Sequence, residues 1–381
     1  MTSHAIAADT VFDGEAEHRD HAVIIEGDSI QRLASARELP ASLAVRRLPE
    51  GAWLAPGFID VQVNGGGDVL FNDAPTPEAI AAIVAAHRRF GTTALLPTLI
   101  TDTAEKMRMA RAAVAAAMAR ELGVLGIHFE GPFLSPERPG VHDRSLIRAP
   151  EPGDLDFLTQ PAAGVTVVTL APERVPAGFV AALARAGVRV CLGHSAATYE
   201  QTQAALDEGL VGFTHLFNAM PPLLARAPGP AGAALEALDT WYGLIADGVH
   251  VAPAMLRLAL RGAGRTMLVT DAMPPVGGSR AQFRLYGEEI AVINGRCARG
   301  DGTLAGSVLD MASAVRNCVT MLGMGLSEAL RLAAAAPAGF LGIDDRLGHL
   351  KPGYRADLVA FDPKAVRVIA TWVAGREERA G

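Results

Sequence analysis

The chain is short of cysteine, of aromatic side chains, of long apolar runs and of positive charge, and each shortage removes a class of protein. Its three cysteines, Cys191, Cys297 and Cys318, are scattered over 381 residues. A wide, odd-numbered set builds no disulfide framework and suits reduced, buried thiols in a cytoplasmic protein. No stretch approaches the roughly 20 apolar residues that cross a bilayer. The opening MTSHAIAADTVFDGEAEHRD carries acids where a secretory leader needs a continuous apolar segment. These features argue against a membrane partner. The formal net charge is -7, which denies nucleic acid the basic face it needs. A small anionic substrate is still admissible, because a few local Arg and His residues can hold one.

What is abundant is alanine, within a chain that is 50% hydrophobic. Runs such as AAIVAAH and RAAVAAAMA read as helices. The length exceeds the size at which a single core usually stops growing, so one large domain with a smaller appendage is expected. The first fifty residues read as small β structure: HAVIIEGDSIQRL is strand, Gly-Asp turn and strand. From Phe58 short apolar runs alternate with amphipathic stretches. Eight strand candidates follow, GFIDVQV, TALLPT, VLGIHF, VTVVTL, VRVCL, VGFTH, YGLIA and MLVTD. Helical segments lie between most of them, one starting after Asp102 as a candidate N-cap. Eight parallel strands alternating with helices imply an α/β fold, a (β/α)8 TIM-like barrel with its site at the strand C-termini. After Asp271 a long Gly-rich stretch reads as a partly hairpin-like insertion over the barrel mouth. Two helices and two more strands, in GYRADLVAFDP and VRVIATWVAG, complete the chain. Residues 1–54 with 345–381 are expected to form one small β-sandwich domain, and 55–344 the barrel.

Four polar residues, Glu130, His194, His215 and Asp271, each end a separate apolar run. One His or acid after a strand is usually a hydrogen-bonded loop residue or a helix cap. Four such strand ends in one barrel point to a shared centre. Two imidazoles and a carboxylate form a ligand set that zinc accepts, leaving a position for water. A bound ion lowers the pKa of that water towards about 7. Asp271 would take its proton and return it to a departing amine. His128, two residues before Glu130, shares its sheet face and reads as a hydrogen-bonded barrel residue. His142 and His250 follow Gly-containing loops after strands, where substrate contacts collect.

The segments PGFIDVQVNGGG, HFEGPFLSPERPGVHD, TLAPE, GHSAATYEQ, THLFNAMPP, IADGVHV, LVTDAM and GTLAGS, in this order, resemble the N-acetylglucosamine-6-phosphate deacetylases of the amidohydrolase superfamily. The resemblance runs from about Pro56 to Ser307 and continues in LGHLKPGYRADLVAFD. It implies a hydrolase of linear amide C–N bonds, acting on a phosphorylated N-acetyl amino sugar in amino-sugar catabolism. Glu130, His194 and His215 then correspond to metal ligands, Asp271 to the acid/base, and His142 to the residue that polarises the acetamide carbonyl. Val141, Asn218, Ala219, Asp247, His250, Leu304, Ala305 and Gly306 correspond to substrate contacts. Arg226 corresponds to a phosphate-binding arginine reached across a homodimer interface.

Two departures qualify the match. Two-metal amidohydrolases carry His-x-His at the end of the first strand, where this chain has Gln62-Val63-Asn64. Neutral amides cannot offset an ion's charge as imidazole or carboxylate can, so one divalent ion per chain is expected. Zn2+ is the first choice, with Fe2+, Co2+ and Mn2+ chemically admissible. The segment LLARAPGP has Ala227 where many members have glutamate. Two other readings compete: a single-metal amidohydrolase for a related N-acyl or cyclic amide, and a non-catalytic homologue. THLFNAMP and Arg226 speak against the first, and the complete set of ligands and acid/base against the second.

Overall fold

The computed structural model describes residues 3–379. Eight parallel strands form one sheet: β1 (Phe58–Val63), β2 (Thr92–Ile100), β3 (Gly126–Glu130), β4 (Val165–Leu170), β5 (Arg189–Leu192), β6 (Gly212–Phe213), β7 (Trp241–Leu244) and β8 (Arg265–Leu268). They lie in chain order. A parallel bridge between Val63 and Ala272 links the last strand's exit to the first. These are the eight strands the apolar runs predict.

Strand β2 is buried at every position, as expected where helices cover one face and the barrel interior the other. Pro97 sits inside it and offers no N–H to the ladder. The register of β1 against β2 shifts nearby, and the Val63 N–H donates instead to Thr98 Oγ1 at 3.0 Å. The helices begin on recognisable chemistry. In α1 (Pro77–Arg88) the Thr76 hydroxyl accepts from Ala79 N, and Pro77 opens the first turn. Its buried stripe includes Ile80, Ile83 and Val84. The cap of α2 (Ala104–Met118) is Thr103, whose hydroxyl accepts from Lys106 N. Asp102, the cap expected from sequence, instead pairs with Lys106 Nζ at 3.1 Å and accepts from Asn72. A residue one step too early cannot reach the first-turn N–H.

Strands from both chain ends form a second sheet. Its order is Arg376–Arg379, Arg367–Val373, Leu358–Asp362, Trp53–Pro56, Ser3–Phe12, Glu17–Glu26 and Ser29–Ser35, with Ala44–Arg47 also on Ser3–Phe12. Alternation puts Ile6, Val23, Leu54 and Trp372 in one apolar cluster and Ala5, Ala22 and Ile24 in another. Buried Arg88, at the end of α1, pairs with Glu121 of the barrel and ties the barrel to this sheet through a second ion pair with Glu378. The Gly-rich stretch after Asp271 folds as three antiparallel strands, Gln282–Leu285, Glu288–Ile293 and Arg296–Ala298. Among the described residues no helix is long and apolar enough to cross a membrane.

Candidate active site

Glu130 is the last residue of β3, while His194, His215 and Asp271 follow β5, β6 and β8 within three residues. Three of the four have left-handed backbones, with φ of 48° at His194, 32° at His215 and 52° at Asp271. Non-glycine residues rarely adopt this region, and when they do they cluster at functional sites. Phe217 and Ala219 share the feature, with φ of 78° and 51°.

The result is a tight triangle. Glu130 Oε1 lies 3.2 Å from His194 Nε2 and 3.0 Å from His215 Nε2, and the two imidazole nitrogens are 3.1 Å apart. All three residues are buried. His194 Nδ1 meets the Arg138 carbonyl oxygen at 3.0 Å, which can only accept. Nδ1 therefore carries the proton, and Nε2 presents its lone pair to the triangle. A carboxylate oxygen and an imidazole lone pair converge here with a second imidazole nitrogen, and a metal ion or a proton on His215 can hold them together. The donor set fits a divalent metal ion, and the bond from His194 to a backbone carbonyl is the outer contact such ligands commonly make.

Gln62 and Asn64 surround this triangle as hydrogen-bond donors. Gln62 Nε2 donates to Glu130 Oε2 at 3.2 Å and to Asp271 Oδ1 at 3.3 Å. Asn64 Nδ2 donates to Asp271 Oδ1 at 2.6 Å. The two amides thus hold the Glu130 and Asp271 carboxylates from the strand end where a two-metal site would need histidines. The carboxyl of Asp271 is pushed up to about 6, first by burial and then by the charge of Glu130, with His215, His250 and Asn64 opposing. Beneath it, burial pushes Asp60 up to about 7 despite bonds from Thr270 and the Gln62 backbone.

A cleft opens over the triangle. Of the residues singled out in the sequence, Val141, His142, Asn218, Ala219, His250, Leu304 and Gly306 line it. His142 is buried, and burial together with the nearby His194 holds its pKa well below the ordinary imidazole value, so the ring is neutral. Three expected contacts lie elsewhere. Ala305 is fully buried beside Met273 and Leu285. The Asp247 carboxylate turns inward, accepting the N–H groups of Val249 and His250 and binding His250 Nδ1 at 2.6 Å. It orients His250, whose other nitrogen is left for the cleft. Arg226 is exposed, in a turn bridged by Leu224 and Ala227, outside its own chain's cleft. His128 binds the Val61 carbonyl at 3.0 Å and Thr169 Oγ1 at 2.7 Å, the interior role expected of it.

Sequence reasoning missed Thr101, Tyr286 and Arg299. Thr101 immediately follows β2, so the strand-end rule that found Glu130 could have found it. Tyr286 and Arg299 lie in the insertion and carry no comparable signal.

A (β/α)8 barrel with a His/His/Glu centre and a neighbouring carboxylate at its strand C-termini has the construction of a metal-dependent hydrolase. Residues 53–377 match the amidohydrolase family, and the chain belongs to that family. It is 44% identical over 333 residues to the N-acetylgalactosamine-6-phosphate deacetylase of Shewanella sp. strain ANA-3, covering 86% of this chain and 84% of that one. It is 36% identical over 363 residues to the N-acetylglucosamine-6-phosphate deacetylase of Haemophilus influenzae, covering 94% of each. The crystal structure of N-acetylglucosamine-6-phosphate deacetylase from Pasteurella multocida superposes with a TM-score of 0.95 at 34% identity, covering 99% of this chain and 100% of the other. A mutant of the Mycobacterium smegmatis enzyme in complex with N-acetyl-D-glucosamine-6-phosphate gives 0.90 at 37% identity, covering 99% of both.

Proposed function

We propose that the protein hydrolyses the acetamide of N-acetyl-D-glucosamine 6-phosphate to D-glucosamine 6-phosphate and acetate, in amino-sugar catabolism. The observation that carries this reading is the convergence of Glu130, His194 and His215 beside the Asp271 carboxylate under one cleft. Those three residues would hold one divalent ion, Zn2+ by preference, with Fe2+, Co2+ or Mn2+ compatible with the same donors. Such an ion supplies Lewis acidity at the carbonyl oxygen and lowers the pKa of water towards about 7.

The remaining chemistry belongs to the protein. Asp271, fixed by Asn64 and Gln62, takes the proton of the attacking water. It then delivers that proton to the amide nitrogen, without which the amine is a poor leaving group. His142, neutral and at the cleft wall, donates a hydrogen bond to the acetamide oxygen as charge develops there; one such donor is worth about 3–4 kcal/mol. Val141, Asn218, Ala219, His250, Leu304 and Gly306 contact the sugar, with Asp247 acting through His250. Arg226, exposed and outside its own cleft, binds the 6-phosphate of a second copy's substrate, so the working unit is a homodimer. We place it in the cytoplasm, and we take residues 1–54 with 345–381 as a domain separate from 55–344.

The 4-epimer, N-acetyl-D-galactosamine 6-phosphate, is a second reading, favoured by the 44% identity to the Shewanella enzyme of that name. Acetate release from both phosphosugars and from free N-acetylglucosamine, with and without chelator, tests these statements. Phosphosugar cleavage abolished by chelator and restored by Zn2+ is expected, and relative kcat/KM decides between the epimers. No acetate from either phosphosugar with metal-loaded protein would refute the reading.

A further inference from the structure

Both donor groups of Thr101 meet one nitrogen of His142. The Thr101 backbone N–H donates to His142 Nδ1 at 3.3 Å, and the Thr101 hydroxyl oxygen lies 2.8 Å from the same atom. A hydroxyl can rotate to give or accept a proton, whereas the peptide plane fixes where a backbone hydrogen points. With that hydrogen directed at it, Nδ1 must offer its lone pair, because a proton on Nδ1 would set N–H against N–H. The hydroxyl then donates as well, because Nδ1 at 2.8 Å is a nearer acceptor for its one proton than the Glu130 carbonyl at 3.4 Å. In the neutral ring the remaining proton is on Nε2, which has no hydrogen-bond partner among the described residues and belongs to a side chain lining the cleft.

We propose that Thr101 is a positioning residue that fixes His142 as the Nε2–H tautomer, so that the ring presents a donor to the cleft. The opposite tautomer would present a lone pair to a developing oxyanion and repel it.

Thr101 and the His142 segment are themselves held by the three-stranded insertion. Tyr286, in the turn between its first two strands, donates through its hydroxyl to the Thr101 carbonyl at 2.5 Å. Arg299, just beyond its third strand, donates through Nη2 to the Val141 carbonyl at 3.0 Å. One grip falls on the tautomer-setting residue and the other on the peptide before His142. This gives the insertion a task beyond covering the mouth: it keeps Thr101 and His142 in register.

The inference rests on the reading of His142 as donor to the acetamide oxygen, but its first test does not. In the ¹⁵N-labelled, zinc-loaded enzyme, imidazole nitrogen spectra are recorded, with the His142 signals identified by their loss in His142→Gln. An unprotonated Nδ1 and a protonated Nε2 are expected; a protonated Nδ1 overturns the proposal. Kinetics supply the second test. Thr101→Val keeps the side-chain shape and the backbone N–H but removes the hydroxyl donor. It should lower kcat about tenfold, the size of one hydrogen bond, with KM within about twofold and metal content unchanged. Thr101→Ser should restore kcat. An unaltered kcat in Thr101→Val, a rise in KM alone, or no recovery with serine counts against the role. If Thr101→Val does not fold, the wild-type spectrum decides. A wild type that releases no acetate would defeat the functional reading while leaving the tautomer readable.

Discussion

At Asp271 burial and the surrounding side chains settle what one carboxyl can do. Burial and the charge of Glu130 push it up, while Asn64 holds its Oδ1 and pulls the other way. Asp271→Asn keeps the shape and removes the titrating group. It should cost about 10²–10⁴ in kcat with metal content unchanged, as measured by steady-state kinetics and elemental analysis. A turnover near that of the wild type would remove Asp271 from the mechanism. Asp60 raises a stability question instead. Burial pushes its pKa to about 7 from an ordinary 3.8, so the folded state favours the protonated form. That contribution is complete below the unfolded value and is lost as pH rises through about 7. In Asp60→Asn an oxygen still accepts the Gln62 and Thr270 N–H groups, and the charge is gone. The variant should be more stable than the wild type above pH 7, by on the order of 4 kcal/mol at most. Its advantage should shrink towards pH 4. Thermal unfolding across this range checks it, and parallel curves for the two proteins would contradict it.

Strand ends were the legible elements, because a barrel turns a one-dimensional pattern into a ring. VLGIHFE, VRVCLGH, VGFTH and TMLVTD each finish on a polar residue, and the fold brings those residues together. The same logic reached Gln62 and Asn64 as poor ligands, but not as donors. The Asn64–Asp271 bond joins residues 207 apart in sequence, and no local pattern encodes which way an amide turns. The left-handed φ of His194, His215 and Asp271 was equally hidden, since these residue types carry no glycine-like mark. At α2 the cap moved by one residue, from Asp102 to Thr103. The Gly-rich stretch predicts a partly hairpin-like insertion over the mouth, yet its grip on Val141 and Thr101 depends on two side chains unmarked by spacing. Arg299→Ala tests that grip. Its guanidinium also pairs with Glu288 at 2.8 Å, so removal frees both the insertion and the Val141 peptide. kcat/KM should fall about tenfold, as for one or two lost hydrogen bonds, with metal content unaltered. An unchanged kcat/KM would reduce the insertion to a cover.

For the whole molecule, the open placement is that of Arg226. Within one chain it is exposed, beside Leu224, itself 57% exposed, and outside the cleft. An arginine fork binds phosphate oxygens well, but only where it can reach them. In a two-fold dimer each surface patch meets its counterpart, so such a turn can serve the partner's cleft as its own is served in return. Alone, Arg226→Ala should raise KM for the phosphosugar far more than for the free sugar. Equal effects would mean that it is not the phosphate contact. Mixed dimers then separate the two geometries. Asp271→Asn and Arg226→Ala homodimers should each be nearly inactive at low phosphosugar concentration. After dissociation and re-pairing at equal amounts, about half the dimers are hybrids, and one site in each combines an intact Asp271 with the other chain's Arg226. Activity should recover to about a quarter of the wild-type value if the arginine acts across the interface. If it acts within its own chain, every hybrid site lacks one group or the other, and mixing recovers nothing.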